Sequence, residues 1–299
     1  MQLGFIGLGR MGGNMVTRLA RGGHSVVGYD PSPAARQTVT TAGARGVDSI
    51  KALVEALTPP RAVWVMVPAG EATDSVLREL AGRLEPGDLI VDGGNAHYKD
   101  DVRRARELAE RSLGYVDAGV SGGIWGLEQG YCIMAGGEAA AIQRLAPALA
   151  TLAPANGWLH VGPVGSGHYV KMIHNGIEYG MMQAYAEGFE LMSASEYGLD
   201  LPAIAQLWNQ GSVVRSWLLE LTAGVLQDEG SLRTVAAQVA DSGEGRWTAQ
   251  EAIDLGIPIP VINAALMTRF ASQGAGDFAA RLLARLRNAF GGHTLPPPN

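Results

Sequence analysis

A chain of 299 residues that is 47% hydrophobic and 17% charged can bury a large core, and its length suits two domains or one large one. A net charge of −6 gives no basis for a nucleic-acid or membrane-surface role, though a local basic pocket for a small anion remains compatible with it. Cys132, in the apolar run YCIMAGG, is the single cysteine; it excludes an internal disulfide framework and reads as a buried structural thiol.

The N-terminal apolar run has no basic leader, and no segment reaches the roughly 18 to 20 apolar residues that a bilayer span needs. A soluble cytoplasmic protein is expected. The chain opens with LGFIGLGRMGGNMVTRLARGG, a short apolar strand followed by Gly7, Gly9 and Gly12 and then a helix-period segment. This is a GxGxxG turn: its glycines permit the tight turn, the approach of backbone to a pyrophosphate and close helix-to-strand packing, while the helix N-terminus offers N–H groups to the phosphates. On its own the motif is common. Its context strengthens it, because HSVVGYD follows as a second strand and places Asp30 eighteen residues after Gly12, near the spacing of a carboxylate that binds ribose hydroxyls. An acidic side chain there repels a 2′-phosphate, which predicts NAD over NADP. Arg36, a turn or so downstream, could offset part of that repulsion.

RAVWVMVP, DLIVDGG, GYVDAGV and YCIMAGG read as further short strands, with helical patterns near 71–83, 98–113 and 138–152. The alternation predicts an α/β fold with a Rossmann-type, doubly wound, mainly parallel sheet over residues 1–165, the NAD-binding domain. Ligand sites in such sheets lie at the strand ends, where VDGGNAHYKD and VSGGIWGLEQG place polar, glycine-rich turns. From 166 onward the pattern becomes all-α: a long helix near 167–197, then helices near 201–209, 212–228, 231–239, 247–255, 260–273 and 276–289. The tail RNAFGGHTLPPPN drops helical periodicity.

KMIHNGIEYG, residues 171–180, puts a lysine, an asparagine and a glutamate into the long helix. At about 100° per residue, Asn175 lies about 40° from Lys171 and Glu178 about 20° the other way, so the three project from one side. The other side carries Ile173, Ile177 and Met181, and Gly176, Gly180, Ala184 and Gly188 form a small-residue row for a neighbouring helix. Each glycine costs roughly 1 kcal/mol against alanine inside a helix, so the row points to close packing and to burial on several sides.

GLGRMGGN, VDGGNAHYKD, VSGGIWGLEQG, GSGHYVKMIHNGIEYGMMQA, SGEGRWTAQEAIDLGIP and RNAFGGH, in that order, resemble decarboxylating 6-phosphogluconate dehydrogenases in their shorter bacterial form, within the 3-hydroxyacid dehydrogenase superfamily. The likeness spans essentially the whole chain, and its most specific part is KMIHNGIEYG. It implies Lys171 as the general base for the substrate 3-hydroxyl and Glu178 as the acid that protonates the product enediol. Asn175 and His174 would orient substrate hydroxyls.

Burial favours a neutral lysine able to act as base, and the ammonium it becomes can stabilise the charge that develops as CO₂ leaves. The resemblance further implies that Ser121, Gly122 and Gly123 bind the carboxylate region and that Asn95 sits where substrate and nicotinamide meet. Gly7, Leu8, Gly9, Met11, Gly12 and Asp30 would form the NAD site. Tyr179 and Arg269 correspond to phosphate-contacting positions, and Arg287 and His293 to residues donated by a neighbouring subunit. Residues 166–299 would then be a substrate and dimerisation domain with an exchanged C-terminal tail, in a homodimer or homotetramer. No metal is implied, and the histidines lack ligand spacing of the HExxH kind.

The sequence departs from the longer enzymes in two places. Asp30, Pro31 and Ser32 stand where many carry a 2′-phosphate grip, and Ser242 and Glu244 stand where a lysine and a threonine approach the substrate phosphate. A 3-hydroxyacid or unphosphorylated sugar-acid dehydrogenase is therefore the alternative activity. A silent NAD-binding regulator would need no Lys171 and Glu178 on one side of a helix.

Overall fold

The computed structural model describes residues 1–291 and 294, and it divides into two compact units, Met1–Met172 and Ile173–Asn299. The first unit runs β1 (Gln2–Ile6), α1 (Arg10–Arg21), β2 (Ser25–Tyr29), α2 (Pro33–Thr41), β3 (Arg45–Val47), α3 (Ile50–Glu55), β4 (Ala62–Val65) and α4 (Glu71–Ala81). It continues through β5 (Leu89–Asp92), α5 (Tyr98–Ala109), β6 (Gly114–Ser121), a 3-10 turn (Gly123–Trp125), α6 (Gly126–Gln129), β7 (Cys132–Gly137), α7 (Ala139–Leu152) and β8 (Trp158–Gly162). The strands form one eight-stranded sheet in the order β3-β2-β1-β4-β5-β6-β7-β8. Every pairing is parallel except β6 with β7, as the mainly parallel expectation requires.

Strand residues alternate between two cores, as a two-residue side-chain period dictates. Ala62, Trp64, Leu89 and Val91 pack with Met15 and Leu19 of α1 and Leu145 and Leu149 of α7. Val63, Val65 and Ile90 face the other way, onto Leu53 of α3 and Leu77 and Leu80 of α4. Helices on both faces explain why AVWV and LIVD are apolar almost throughout rather than alternating. Each fully buried side chain of this kind contributes roughly 1.5–3 kcal/mol.

Helix α8 (Ser166–Ser193) carries the chain across the division. It is followed by α9 (Leu201–Trp208), α10 (Trp217–Gln227), α11 (Glu229–Thr234), α12 (Glu244–Leu255), α13 (Pro260–Ser272) and α14 (Asp277–Gly291). Within the second unit, Phe189 packs with Ala205, Leu219 and Ala223, and Tyr179 packs with Ala265 and Leu266. Side-chain caps set several starts: Asp200 accepts from the Ala203 N–H and Ser216 from the Leu219 N–H.

Four expectations are corrected. The helix near 231–239 ends at Thr234, and α12 begins at Glu244 rather than 247 because Gly243, at φ 107°, turns the chain into it. Strands β3 and β8 were not signalled: RGV is three residues long, and WLHVG exposes Leu159 and His160. Cys132 is exposed, since it opens β7 and the inward pattern starts at Ile133. Finally, the burial expected on several sides of α8 is incomplete. Thr248 of α12 packs at Gly176 and Val261 of α13 at Gly180, but Ile177 remains 51% and Met181 37% exposed, and nothing lies within 4 Å of a Cβ at Gly188.

Candidate active site

The expected nucleotide turn forms at the carboxyl end of β1, between β2 and β4, which is where the strand order reverses. Its glycines do different work. A Cβ on Gly7, at φ 91°, would run into the Met66 carbonyl, and one on Gly12 would collide with the Gly7 carbonyl. A Cβ on Gly9 would meet nothing within 4 Å, so this is the open side of the turn. Gly9 caps α1 without a side-chain bond, and the first turn of α1 has no acidic residue, so the helix N-terminus presents its N–H groups to an anion. Leu8 is buried within the turn and Met11 half-buried on α1.

Asp30 holds this turn from the end of β2. Its Oδ2 accepts from the Leu8 N–H at 2.8 Å and its Oδ1 from the Ser32 N–H at 2.8 Å. A carboxylate offers about four acceptor sites, which leaves capacity for ribose hydroxyls. Arg36 donates through Nη1 to the Asp30 carbonyl at 2.7 Å and the Pro31 carbonyl at 3.1 Å. The arginine that could have gripped a 2′-phosphate is thus tied to the backbone. The residues present fit a dinucleotide with free ribose hydroxyls.

Two further segments end at the same strand edge. After β5, the Gly94 N–H donates to Asp92 Oδ1 at 3.0 Å, which folds the turn that exposes Asn95. After β6, Ser121, Gly122 and Gly123 lead into the 3-10 turn; Gly122 and Gly123 take φ of 128° and 53°, conformations that favour glycine. Asn14 of α1 donates to the Ile124 carbonyl at 3.2 Å, fastening this turn beside the nucleotide helix.

Lys171 is 9% exposed on the second turn of α8. Strand β6 approaches it so closely that a Cβ on Gly119 would collide with Lys171 Cβ and lie 2.8 Å from the Gly167 carbonyl. In the second unit, His174 Nδ1 is 3.0 Å from Asn175 Oδ1 and 3.8 Å from Glu178 Oε2. His174 and Glu178 have side chains 38% and 37% exposed, open enough to meet a ligand. Tyr179 is buried, with the Arg269 guanidinium 3.5 Å above its ring. Arg287 is exposed on α14, and His293 lies outside the described residues.

The sequence reading missed a buried polar cluster in the first unit. His168 Nδ1 lies 2.7 Å from Asp101 Oδ2, Tyr115 donates to Asp101 at 2.8 Å, and Arg104 donates through Nη1 to Asp92 at 3.1 Å. Asp117 accepts from the backbone N–H groups of Gly165 at 2.7 Å and His168 at 2.9 Å, capping α8 from a neighbouring strand. The signal was present as charges inside apolar runs: LIVD, YVDAGV and GSGHYV.

Burial alone would lower the His168 imidazole, but Asp101 first, then Asp92 and Asp117, outweigh it and push the ring up to about 9. Burial pushes Asp117 up to about 6 against the opposing pull of His168, and it raises Asp92 as well. A histidine titrating higher when folded than its unfolded value of about 6.5 lends stability that is complete below that value and is lost as pH rises through about 9. Asp117 has the same sign over a lower window, from about 4 to about 6. Urea denaturation should therefore show stability falling between pH 6.5 and 9 by on the order of 3 kcal/mol. That slope should flatten in His168→Gln; equal slopes in both proteins would rule out this origin.

Residues 2–162 match the NAD binding domain of 6-phosphogluconate dehydrogenase, and residues 167–280 match the 6-phosphogluconate dehydrogenase C-terminal domain. The NAD(+)-dependent, decarboxylating 6-phosphogluconate dehydrogenase of Haloferax volcanii is 46% identical over 295 residues, covering 98% of both chains. The chain belongs to the 6-phosphogluconate dehydrogenase family. The Bacillus subtilis enzyme described as NAD(+)-dependent and decarboxylating is 37% identical over 287 residues, 91% of this chain and 61% of that enzyme. The 6-phosphogluconate dehydrogenase of Plasmodium falciparum superposes with a TM-score of 0.84 at 30% identity, over all of this chain and 66% of that one. The chain is thus a short family member, spanning under two thirds of these two longer enzymes and almost the full length of the Haloferax one.

Against that family, the structure clarifies one departure. Glu244 is 2% exposed and accepts from the Ser242 hydroxyl at 2.7 Å, with the Tyr179 hydroxyl at 3.5 Å. Arg269 donates through Nη1 to the Ala240 carbonyl at 2.8 Å, and Arg246 is paired with Asp241. Of the expected phosphate contacts, Tyr179 therefore stands beside a carboxylate, and Arg269 stacks on the Tyr179 ring. Among the described residues no helix is long and apolar enough to cross a membrane.

Proposed function

We infer that this protein oxidises and decarboxylates 6-phosphogluconate to ribulose 5-phosphate and CO₂ while reducing NAD, through Lys171 as base and Glu178 as acid. The observation that carries the reading is a lysine only 9% exposed, pressed by strand β6 and standing on the same helix as a half-open histidine, asparagine and glutamate. Asp30 with Arg36 tied to backbone supports NAD over NADP, in keeping with the Haloferax relative.

Bound NAD supplies the hydride acceptor for C3 of the sugar acid. Neutral Lys171 takes the C3 hydroxyl proton as that carbon is oxidised, and the resulting ammonium donates to the new ketone oxygen. As the C1–C2 bond breaks and CO₂ departs, the ammonium stabilises the developing enolate and returns its proton to that oxygen, giving the enediol. Glu178 then delivers a proton to C2 while Lys171 takes back the hydroxyl proton, leaving the ketose. Ser121, Gly122, Gly123 and Asn95 would hold the carboxylate end and C3, with His174 and Asn175 on the intervening hydroxyls. Tyr179 and Arg269 would meet the far end.

Exposed apolar side chains in the second unit, among them Ile177, Leu191 and Val261 at 51%, 75% and 67%, support a homo-oligomer. Arg287, His293 and the tail would reach the partner's site in it. A cytoplasmic location suits an enzyme of sugar phosphates and NAD.

Buried Glu244 favours a second reading, in which the unphosphorylated acid gluconate is the substrate. One assay separates them: NADH and CO₂ measured side by side with 6-phosphogluconate and with gluconate, using NAD and then NADP. The first reading expects one CO₂ per NADH with 6-phosphogluconate and NAD, and little turnover with the other combinations. NADH without CO₂ would sink the decarboxylation.

A further inference from the structure

The polar cluster beneath α8 is a chain of hydrogen bonds that connects the site's segments within the first unit. Asp92 shapes the Asn95 turn through the Gly94 N–H and accepts from Arg104, while the Tyr115 hydroxyl lies 3.3 Å from Asp92 and 2.8 Å from Asp101. Asp101 engages His168, whose own backbone N–H donates to Asp117 on β6, the strand that ends at Ser121. His168 is 1% and Asp101 and Asp117 are 0% exposed, so no solvent competes for these bonds. Lys171 stands three residues after His168, one turn further along the same helix face.

The contact between that turn and the sheet has no slack. A Cβ on Gly167 would come 2.5 Å from the Asp117 and Met134 carbonyls, and one on Gly136 would come 2.7 Å from the Gly167 N–H nitrogen. The carboxylates of Asp92 and Asp101 and the His168 ring also lie within 4.8 Å of one another, as metal ligands do. Arg104 and Tyr115 already donate to those carboxylates, so a divalent cation would be set against a guanidinium. The charged groups that act on His168 include Asp101 from α5, Asp92 from β5 and Asp117 from β6, with Arg104 and Tyr115 bonded to the first two.

We propose that His168 and Asp117 are positioning residues for the reaction: by fixing the first turn of α8 against β6, they set where the Lys171 amine stands relative to the Asn95 and Ser121 turns. The proposal rests on the assignment of Lys171 as base. A base displaced by about 1 Å costs up to a hundredfold in rate without weakening ligand binding, so the effect falls on kcat. Neither residue is placed against substrate or cofactor.

The test compares His168→Leu, which removes the bond to Asp101, with His168→Gln, whose amide can still donate to it. His168→Leu should lower kcat about tenfold or more while NAD affinity stays within about twofold. With 3-deuterated 6-phosphogluconate, its isotope effect should rise, because oxidation at C3 becomes rate-limiting. His168→Gln should recover most of the lost kcat and the parent isotope effect. Should His168→Leu not fold, Asp117→Asn provides the same readout, since the Gly165 and His168 N–H groups go to separate oxygens of Asp117 and an asparagine keeps only one of those two acceptors.

Parent kcat and isotope effect in the leucine variant, or in Asp117→Asn where that serves, would overturn the proposal. So would an equal fall in both His168 variants with no change in isotope effect, the mark of general loosening. Lys171→Met separates the two levels of argument. If that variant is inactive and His168→Leu is unimpaired, only the positioning role fails; if Lys171→Met is active, the base assignment beneath it fails.

Discussion

Lys171→Met is expected to lower kcat with 6-phosphogluconate by about a thousandfold or more, since general base catalysis alone contributes roughly 10²–10⁴-fold and the amine, as the proposed base, would also face the enolate charge. Methionine keeps an unbranched apolar stem against Gly119 and the sheet, so the substitution deletes the amine with little change of volume. NAD binding, measured by quenching of tryptophan fluorescence, should stay within about twofold, because the nucleotide turn, Asp30 and the α1 N-terminus do not depend on the amine. A variant that kept a tenth or more of parent turnover would remove Lys171 from the role of base. The expected size of the loss separates this residue from its neighbours: a side chain that only orients a hydroxyl forfeits one hydrogen bond, about 0.5–1.5 kcal/mol, or roughly two- to tenfold.

Much of the first unit was legible because its signals are local. The spacing of Gly7, Gly9 and Gly12 sets turn geometry within six residues, and apolar runs such as AVWV reveal a strand covered on both faces. The start of α8 was also legible, since strand patterning stops where Ser166 begins the helix. What stayed hidden depends on residues far apart in the chain. The antiparallel turn of β7 against β6 leaves no mark in composition, and β8 lies at the edge of the sheet, where Leu159 can face outward.

Asp117 looked like one polar residue in a strand, and its partners Gly165 and His168 lie about fifty positions on. Resemblance supplied the roles of Lys171, Glu178 and Asn175, but it was silent on the bonds beneath them. Those bonds follow from an accounting rule instead. A buried carboxylate must find donors, and for Asp117 the donors are the N–H groups of Gly165 and His168 at the start of α8.

Glu178→Gln tests the other end of the reaction. The amide cannot deliver a proton to carbon, so overall turnover should fall about 10²–10³-fold, the range of general acid catalysis. The location of the defect matters more than its size. The last step, run backwards, removes a hydrogen from C1 of ribulose 5-phosphate and returns one from solvent, and it needs neither CO₂ nor net oxidation. In deuterium oxide the parent enzyme should exchange one C1 hydrogen of ribulose 5-phosphate, as followed by proton NMR, and Glu178→Gln should not.

His174, at 3.8 Å from the carboxylate, is a side chain in the same unit that could act in its stead. If exchange persisted in Glu178→Gln and vanished in His174→Gln, the acid would be the histidine. Exchange at the parent rate in both variants would leave protonation to water and would strip the helix of its second chemical role. Loss confined to Glu178→Gln would instead mean that one helix carries both proton transfers. The two side chains would then have to converge on adjacent carbons, Lys171 at the C3 oxygen and Glu178 at C2.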